Sequence, residues 1–135
     1  MAILGTGVAS TSLASVCYNS HMTQHNHIDL IEFPVKSAEQ LKQTKDFFSG
    51  VFGWKYTDWG EDYSDTTESG TSSGVNADGS SSMPLTVIYS EDLEKTKELV
   101  VQNGGKIIVE TYDFPGGRRF HFTEPNGNEL AVWSK

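Results

Sequence analysis

LKQTKDFFSGVFG at residues 41–53 and LEKTKELVVQNGG at residues 93–105 align without a gap at an offset of 52 residues. The alignment sets Leu41 on Leu93, Thr44 on Thr96, Lys45 on Lys97, Asp46 on Glu98, Phe47-Phe48 on Leu99-Val100 and Gly53 on Gly105. In the first copy Leu41, Phe47, Phe48, Val51 and Phe52 recur at helical spacing, while Lys42, Gln43, Lys45 and Asp46 populate the other faces. Ser37 with Gln40 three residues on has the form of a capping box, and Gly53 ends the helix. In the second copy Ser90 can cap, Glu91 and Asp92 suit the helix dipole, and Gly104-Gly105 stops the helix.

Strands flank both helices. Residues 28–35 and 85–89 precede them and match at an offset of 55, Leu30 on Leu85 and Val35 on Ser90, so the first strand-to-helix loop is three residues longer. Trp54-Lys55-Tyr56 and residues 106–110 follow the helices. Residues 119–123 and 129–133 then form a hairpin around Glu124-Pro125-Asn126-Gly127-Asn128, Asn-Gly between alternating runs being a strong hairpin signal. The first copy should hold its equivalents between Tyr63 and Val75. Residues 66–82 are rich in Ser, Thr and Gly, however, so those strands are weakly specified. The pattern is a duplicated βαβββ unit in an α+β domain, residues 28–82 and then 83–135.

At 135 residues the chain suits one domain with a real core, and no apolar run is long enough to span a membrane. A formal charge of −8 argues against nucleic acid or an anionic membrane as partner. Cys17 is the only cysteine, so there is no internal disulfide, and no basic residue stands near enough to activate it. Residues 1–27 read as a leader outside the domain. Ser20-His21-Met22 has the look of a cloning junction, and Met22 of an alternative start. No positively charged region opens a secretory signal, so the expected location is cytoplasmic.

Phe-Phe-Ser-Gly-Val-Phe-Gly-Trp at 47–54, Glu32-Phe33-Pro34-Val35, Asp62-Tyr63, Ser73-Gly74-Val75, Pro84-Leu85 and Glu124 to Trp133, set in a doubled βαβββ pattern, carry a family likeness. Over residues 28–133 the chain resembles the vicinal oxygen chelate superfamily, which includes glyoxalase I, bleomycin-resistance proteins and extradiol dioxygenases. The resemblance implies curled mixed sheets around a cup, commonly completed by a homodimer. In metal-dependent members it implies His or Glu ligands from the first and last strands of each unit, and Lewis-acid catalysis. Here those positions fall on Leu30, Leu85, Ala131 and the neighbourhood of Thr71 to Ser73, none of which offers an acid or imidazole. A register two residues along keeps the same face and puts Glu32 and Glu129 at ligand positions.

Strand alternation sets Glu32 with Leu30, and Glu129 with Ala131 and Trp133, on the expected cup face. His121 shares a face with Arg119, opposite Phe120 and Phe122. If that face looks inward, His121 is the proton-transfer candidate and Arg119 the anion clamp; if outward, both are surface residues. Glu32 and His121 are thus the catalytic candidates. Glu129, Arg119, Tyr63, Trp59 and Trp133 are the ligand-binding candidates. Arg118 beside Gly116-Gly117 is either an anion contact or a solvated loop residue. The expected function is a metal-free cup, without cofactor, that binds a small organic molecule of apolar or cationic character. Two alternatives stand: a lyase, isomerase or dioxygenase using Zn, Ni, Mn or Fe with Glu32, Glu129 or His121 as ligands, and a vestigial cup serving as a dimeric interaction module.

Overall fold

A computed structural model of the chain describes residues 22–79 and 81–135. Cys17 and most of the expected leader lie outside these residues. The element order is β1 (His27–Pro34), α1 (Ala38–Phe52), β2 (Thr57–Asp58), β3 (Tyr63–Thr66), β4 (Ser72–Asn76), then β5 (Leu85–Tyr89), α2 (Leu93–Gln102), β6 (Lys106–Phe114), β7 (Gly117–Thr123) and β8 (Glu129–Ser134). Each half is a βαβββ unit. The eight strands form one curled mixed sheet in the order β2-β3-β4-β1-β5-β8-β7-β6. Within each unit the first strand runs parallel to the last, β1 with β4 and β5 with β8. The two units meet through the antiparallel pair β1–β5, inside a single chain.

Local chemistry explains the helix ends. Ser37 accepts from the Gln40 amide, and the Gln40 side chain reaches back to the Lys36 N–H, one residue ahead of the usual capping-box donor. Gly53 closes α1 in the left-handed conformation, φ 77°, which disfavours any residue with a Cβ. At α2 the cap is Asp92, whose carboxylate accepts from the Lys95 amide, rather than Ser90. The Ser90 hydroxyl instead accepts from the Asp92 amide and bonds Thr96, so it braces the turn that delivers the cap. The second strand expected at Trp54-Lys55-Tyr56 starts only at Thr57, because Trp54 is taken up by stacking on Phe52 and packing on Phe48.

The helices cover one face of the sheet. Phe48 of α1 meets Phe33 of β1 at 5.4 Å between ring centroids. Leu93 of α2 packs on Phe120 and Val132, joined by Val100, Ile107 and Phe122. A second cluster, Leu85, Val87 and Ala131 with Leu30 and Trp133, lies on the opposite, concave face. The odd-numbered residues of β7 therefore look into the cup and Phe120 and Phe122 look toward α2, which settles the direction of His121. Contacts also reach ahead of residue 28: Asn26 donates to the Tyr89 carbonyl and His25 Nδ1 accepts from the Glu91 amide. Among the described residues no helix is long and apolar enough to cross a membrane.

Candidate functional site

Three central strands and their neighbours place a polar cluster on the apolar floor of the cup. Glu32 of β1 and Arg119 of β7 lie 87 residues apart in sequence and form a forked ion pair, Nη1 to Oε2 at 3.1 Å and Nη2 to Oε1 at 3.0 Å. Both side chains are almost withdrawn from solvent, at 7% and 10% exposure. The Tyr63 hydroxyl donates to the same Glu32 oxygen at 3.1 Å. This reach depends on Gly74, which pairs with Glu32 across β1 and β4; a Cβ there would stand 2.5 Å from the Tyr63 hydroxyl oxygen. Burial, then the adjoining Glu32 carboxylate, pushes the Tyr63 hydroxyl far up from its ordinary range, so it stays a donor. The guanidinium stays charged. Of the guanidinium nitrogens only Nε, also buried, has no hydrogen-bond partner among the described residues.

A second chain of hydrogen bonds runs beside the first. His121 Nδ1 lies 2.9 Å from Glu129 Oε2, and its Nε2 lies 2.9 Å from the Tyr112 hydroxyl. Ser81 donates to the same Glu129 oxygen. Burial is the main force holding the His121 imidazole below its usual pKa, the Arg119 charge adds to it, and Glu129 opposes both. The neutral ring is thus the resting form, with Nδ1–H donating to the carboxylate and Nε2 free to accept from Tyr112.

Tyr112 lies on a strand whose register against β7 shifts twice, between Ile107 and Val109 and again between Val109 and Tyr112. Val109 pairs with His121 and Tyr112 with Arg119, so β6 uses three residues where β7 uses two. Tyr112 and Phe114 face inward, and both rings lie about 6 Å from the Arg119 guanidinium. Thr111 is left on the other side, in reach of Lys97 of α2.

Of the residues singled out in the sequence, Glu32, Arg119 and Tyr63 form one network, and His121 and Glu129 anchor the second. Trp133 walls the same face, its indole N–H donating to the buried Asp29 carboxylate at 2.9 Å and its ring meeting Tyr89 and Phe114 edge-on. Trp59 stands apart. It follows a two-residue strand, is 63% exposed, and donates to Asp65. Arg118 lies in β7 rather than in a loop and pairs at 3.6 Å with Glu94 on the exposed outer side. Tyr112, Phe114, Asp29 and Ser81 carried no sequence signal. A register shift or a long-range partner brings each into place, and neither is legible in local periodicity.

The donor set does not fit the metal site of the resemblance. Leu30, Leu85 and Ala131 line the floor, and the Glu32 carboxylate is engaged by the guanidinium fork. Among the described residues no three His, Cys, Asp or Glu side chains are grouped to hold a metal ion.

The doubled βαβββ sheet with a polar cluster in its concave face defines a class, and the sequence agrees with it. The chain belongs to the glyoxalase/bleomycin resistance protein/dioxygenase superfamily, whose family model matches residues 26–132. The fold is similar to that of a superfamily member from Vibrio splendidus, at 13% identity over 78% of this chain and 97% of that one, TM-score 0.57. It is similar to a protein described as hypothetical from Bacillus halodurans, at 16% identity over 83% of this chain and 96% of that one, TM-score 0.63. A Mn(II)-bound glyoxalase from Novosphingobium aromaticivorans matches at 16% identity over 84% of this chain, TM-score 0.59, and this chain spans 40% of its length. No curated protein matches in sequence.

Proposed function

We propose that the chain binds a small organic molecule on the concave face of the sheet and needs no divalent metal to do so. The observation that carries this reading is the state of Glu32. Its carboxylate accepts both arms of Arg119 and the Tyr63 hydroxyl, so three of its roughly four acceptor sites are taken and its charge is already neutralised by the guanidinium, which makes it a poor ligand for a cation. The remaining floor is aliphatic, with Trp133 and Tyr112 as aromatic walls. With Arg119 cancelling Glu32 and His121 neutral, the Glu129 carboxylate is the residual charge of these two hydrogen-bonded networks. That balance favours a neutral or cationic ligand with an apolar body. The reading also takes the protein to be a cytoplasmic homodimer. The sheet ends on β2 and β6, and pairing of copies would cover open edges.

Titration of chelator-treated protein with a panel of small aromatic and cationic compounds, followed by tryptophan fluorescence, tests the proposal. Saturable uptake at one ligand per chain is the expected result. Uptake only after a divalent ion is restored would favour the metal-dependent alternative. No uptake of any compound, with or without metal, would favour an interaction module.

A further inference from the structure

We propose that Tyr112, His121 and Glu129 form a metal-free relay that removes a proton from a weakly acidic molecule held in the cup. The inference rests on the small-molecule reading above and adds a chemical step to it. The geometry is that of a carboxylate orienting an imidazole that faces a hydroxyl, with both links at 2.9 Å. Tyr112 is 38% exposed whereas His121 is 3% exposed, so the phenol is the member that can meet a ligand and the imidazole sits behind it.

The ligand's acidic group gives its proton to the Tyr112 oxygen as the Tyr112 proton passes to His121 Nε2. The products are a ligand anion and an imidazolium whose Nδ1–H remains on Glu129. The net charge of relay plus ligand does not change, so the step needs no counterion from solvent. Ser81 holds the carboxylate in place by a further hydrogen bond.

Two features beyond the triad favour a ligand that ionises here. Arg119 lies against the Tyr112 ring, and its Nε is the one buried nitrogen of the guanidinium without a partner. A donor left unpaired in an otherwise satisfied cluster is a destabilising feature in the empty site, and an oxyanion is the natural group to accept from it. The imidazole is also a weakened base, faced by Arg119 on its own strand, Glu32 on β1, Tyr112 on β6 and Glu129 on β8. A weakened base suits an acid that ionises near neutral pH, such as an activated phenol or a stabilised enol, rather than an ordinary alcohol.

The probe is 4-nitrophenol, whose phenolate absorbs visibly and whose neutral form does not. It is titrated with the full-length protein at a pH where the free probe is mostly protonated. The proposal predicts a saturable phenolate band, equivalent to lowering the probe's apparent pKa by about one unit, or tenfold in the ionisation constant. Tyr112→Phe, at probe concentrations that saturate tryptophan quenching, should lose the band, and His121→Gln should lose it too. In the free protein Tyr112→Phe should also move the His121 Nε2 nitrogen resonance, because the ring loses its hydroxyl donor. Binding of the probe as neutral phenol overturns the relay, as does a band that survives Tyr112→Phe. So does failure to take up the probe by protein that takes up other ligands. Failure to take up any ligand instead overturns the small-molecule reading beneath it.

Discussion

Replacing Glu32 by Gln keeps the shape of the side chain and removes its charge, leaving Arg119 positively charged in a site where its side chain is 10% exposed. Removing one partner of a buried pair costs about 3–5 kcal/mol, because the other charge is left desolvated and uncompensated. Gln retains a carbonyl for one guanidinium arm, so the lower end, about 3 kcal/mol, is expected. With a urea slope of about 2 kcal/mol/M, the unfolding midpoint should fall by roughly 1.5 M. Arg119→Met alone should cost at least as much, since it strands the carboxylate. The double change Glu32→Leu with Arg119→Met removes both charges and should cost only about 1 kcal/mol; against about 3 kcal/mol for each of Glu32→Leu and Arg119→Met alone, the double-mutant cycle gives a coupling energy of about 5 kcal/mol. A single-mutant cost under about 1 kcal/mol, typical of exposed pairs, would refute the picture of a buried, mutually dependent clamp.

Three further outcomes follow from the same geometry. His121 has its pKa lowered by burial, so the unfolded chain binds the proton more readily than the folded one. Stability from this residue is fully present above the unfolded value near 6.5 and falls as pH drops through it toward the folded value. Urea midpoints measured from pH 8 to 5 should show that decline, and His121→Gln should flatten it. Gly74→Ala would drive a methyl into the Tyr63 hydroxyl; a loss of about 1–3 kcal/mol is expected. Ultraviolet titration of Gly74→Ala should then show one tyrosine returning toward its ordinary pKa. Gly53→Ala places a Cβ at φ 77° and should cost about 1 kcal/mol, read as a fall in Tm of about 4 °C.

The duplication was legible because helix grammar is local. Caps, apolar spacing and terminal glycine fall within a few residues, and the two copies repeat them in order. The strand faces of Glu32 and Glu129 were legible for the same reason, period-two alternation needing only neighbours. The sign of the β7 face was not. It depends on α2 packing over Phe120 and Phe122, a tertiary choice that leaves Arg119 and His121 inward. Tyr112 was hidden more thoroughly, since two register shifts between β6 and β7 decide that it stands opposite Arg119. The Glu32–Arg119 pair joins the first and seventh strands. Nothing local in either segment shows that the other will neutralise it.

Metal content bears most directly on the central proposal of a cup that holds its ligand without a divalent ion. Protein purified without a chelating tag should contain far less than one metal per chain by elemental analysis, and calorimetric titration with Zn, Ni, Mn and Fe(II) should show no saturable uptake. One tightly held equivalent per chain, lost on mutation of Glu32, His121 or Glu129, would contradict the account and return the protein to the metal-dependent members of its superfamily.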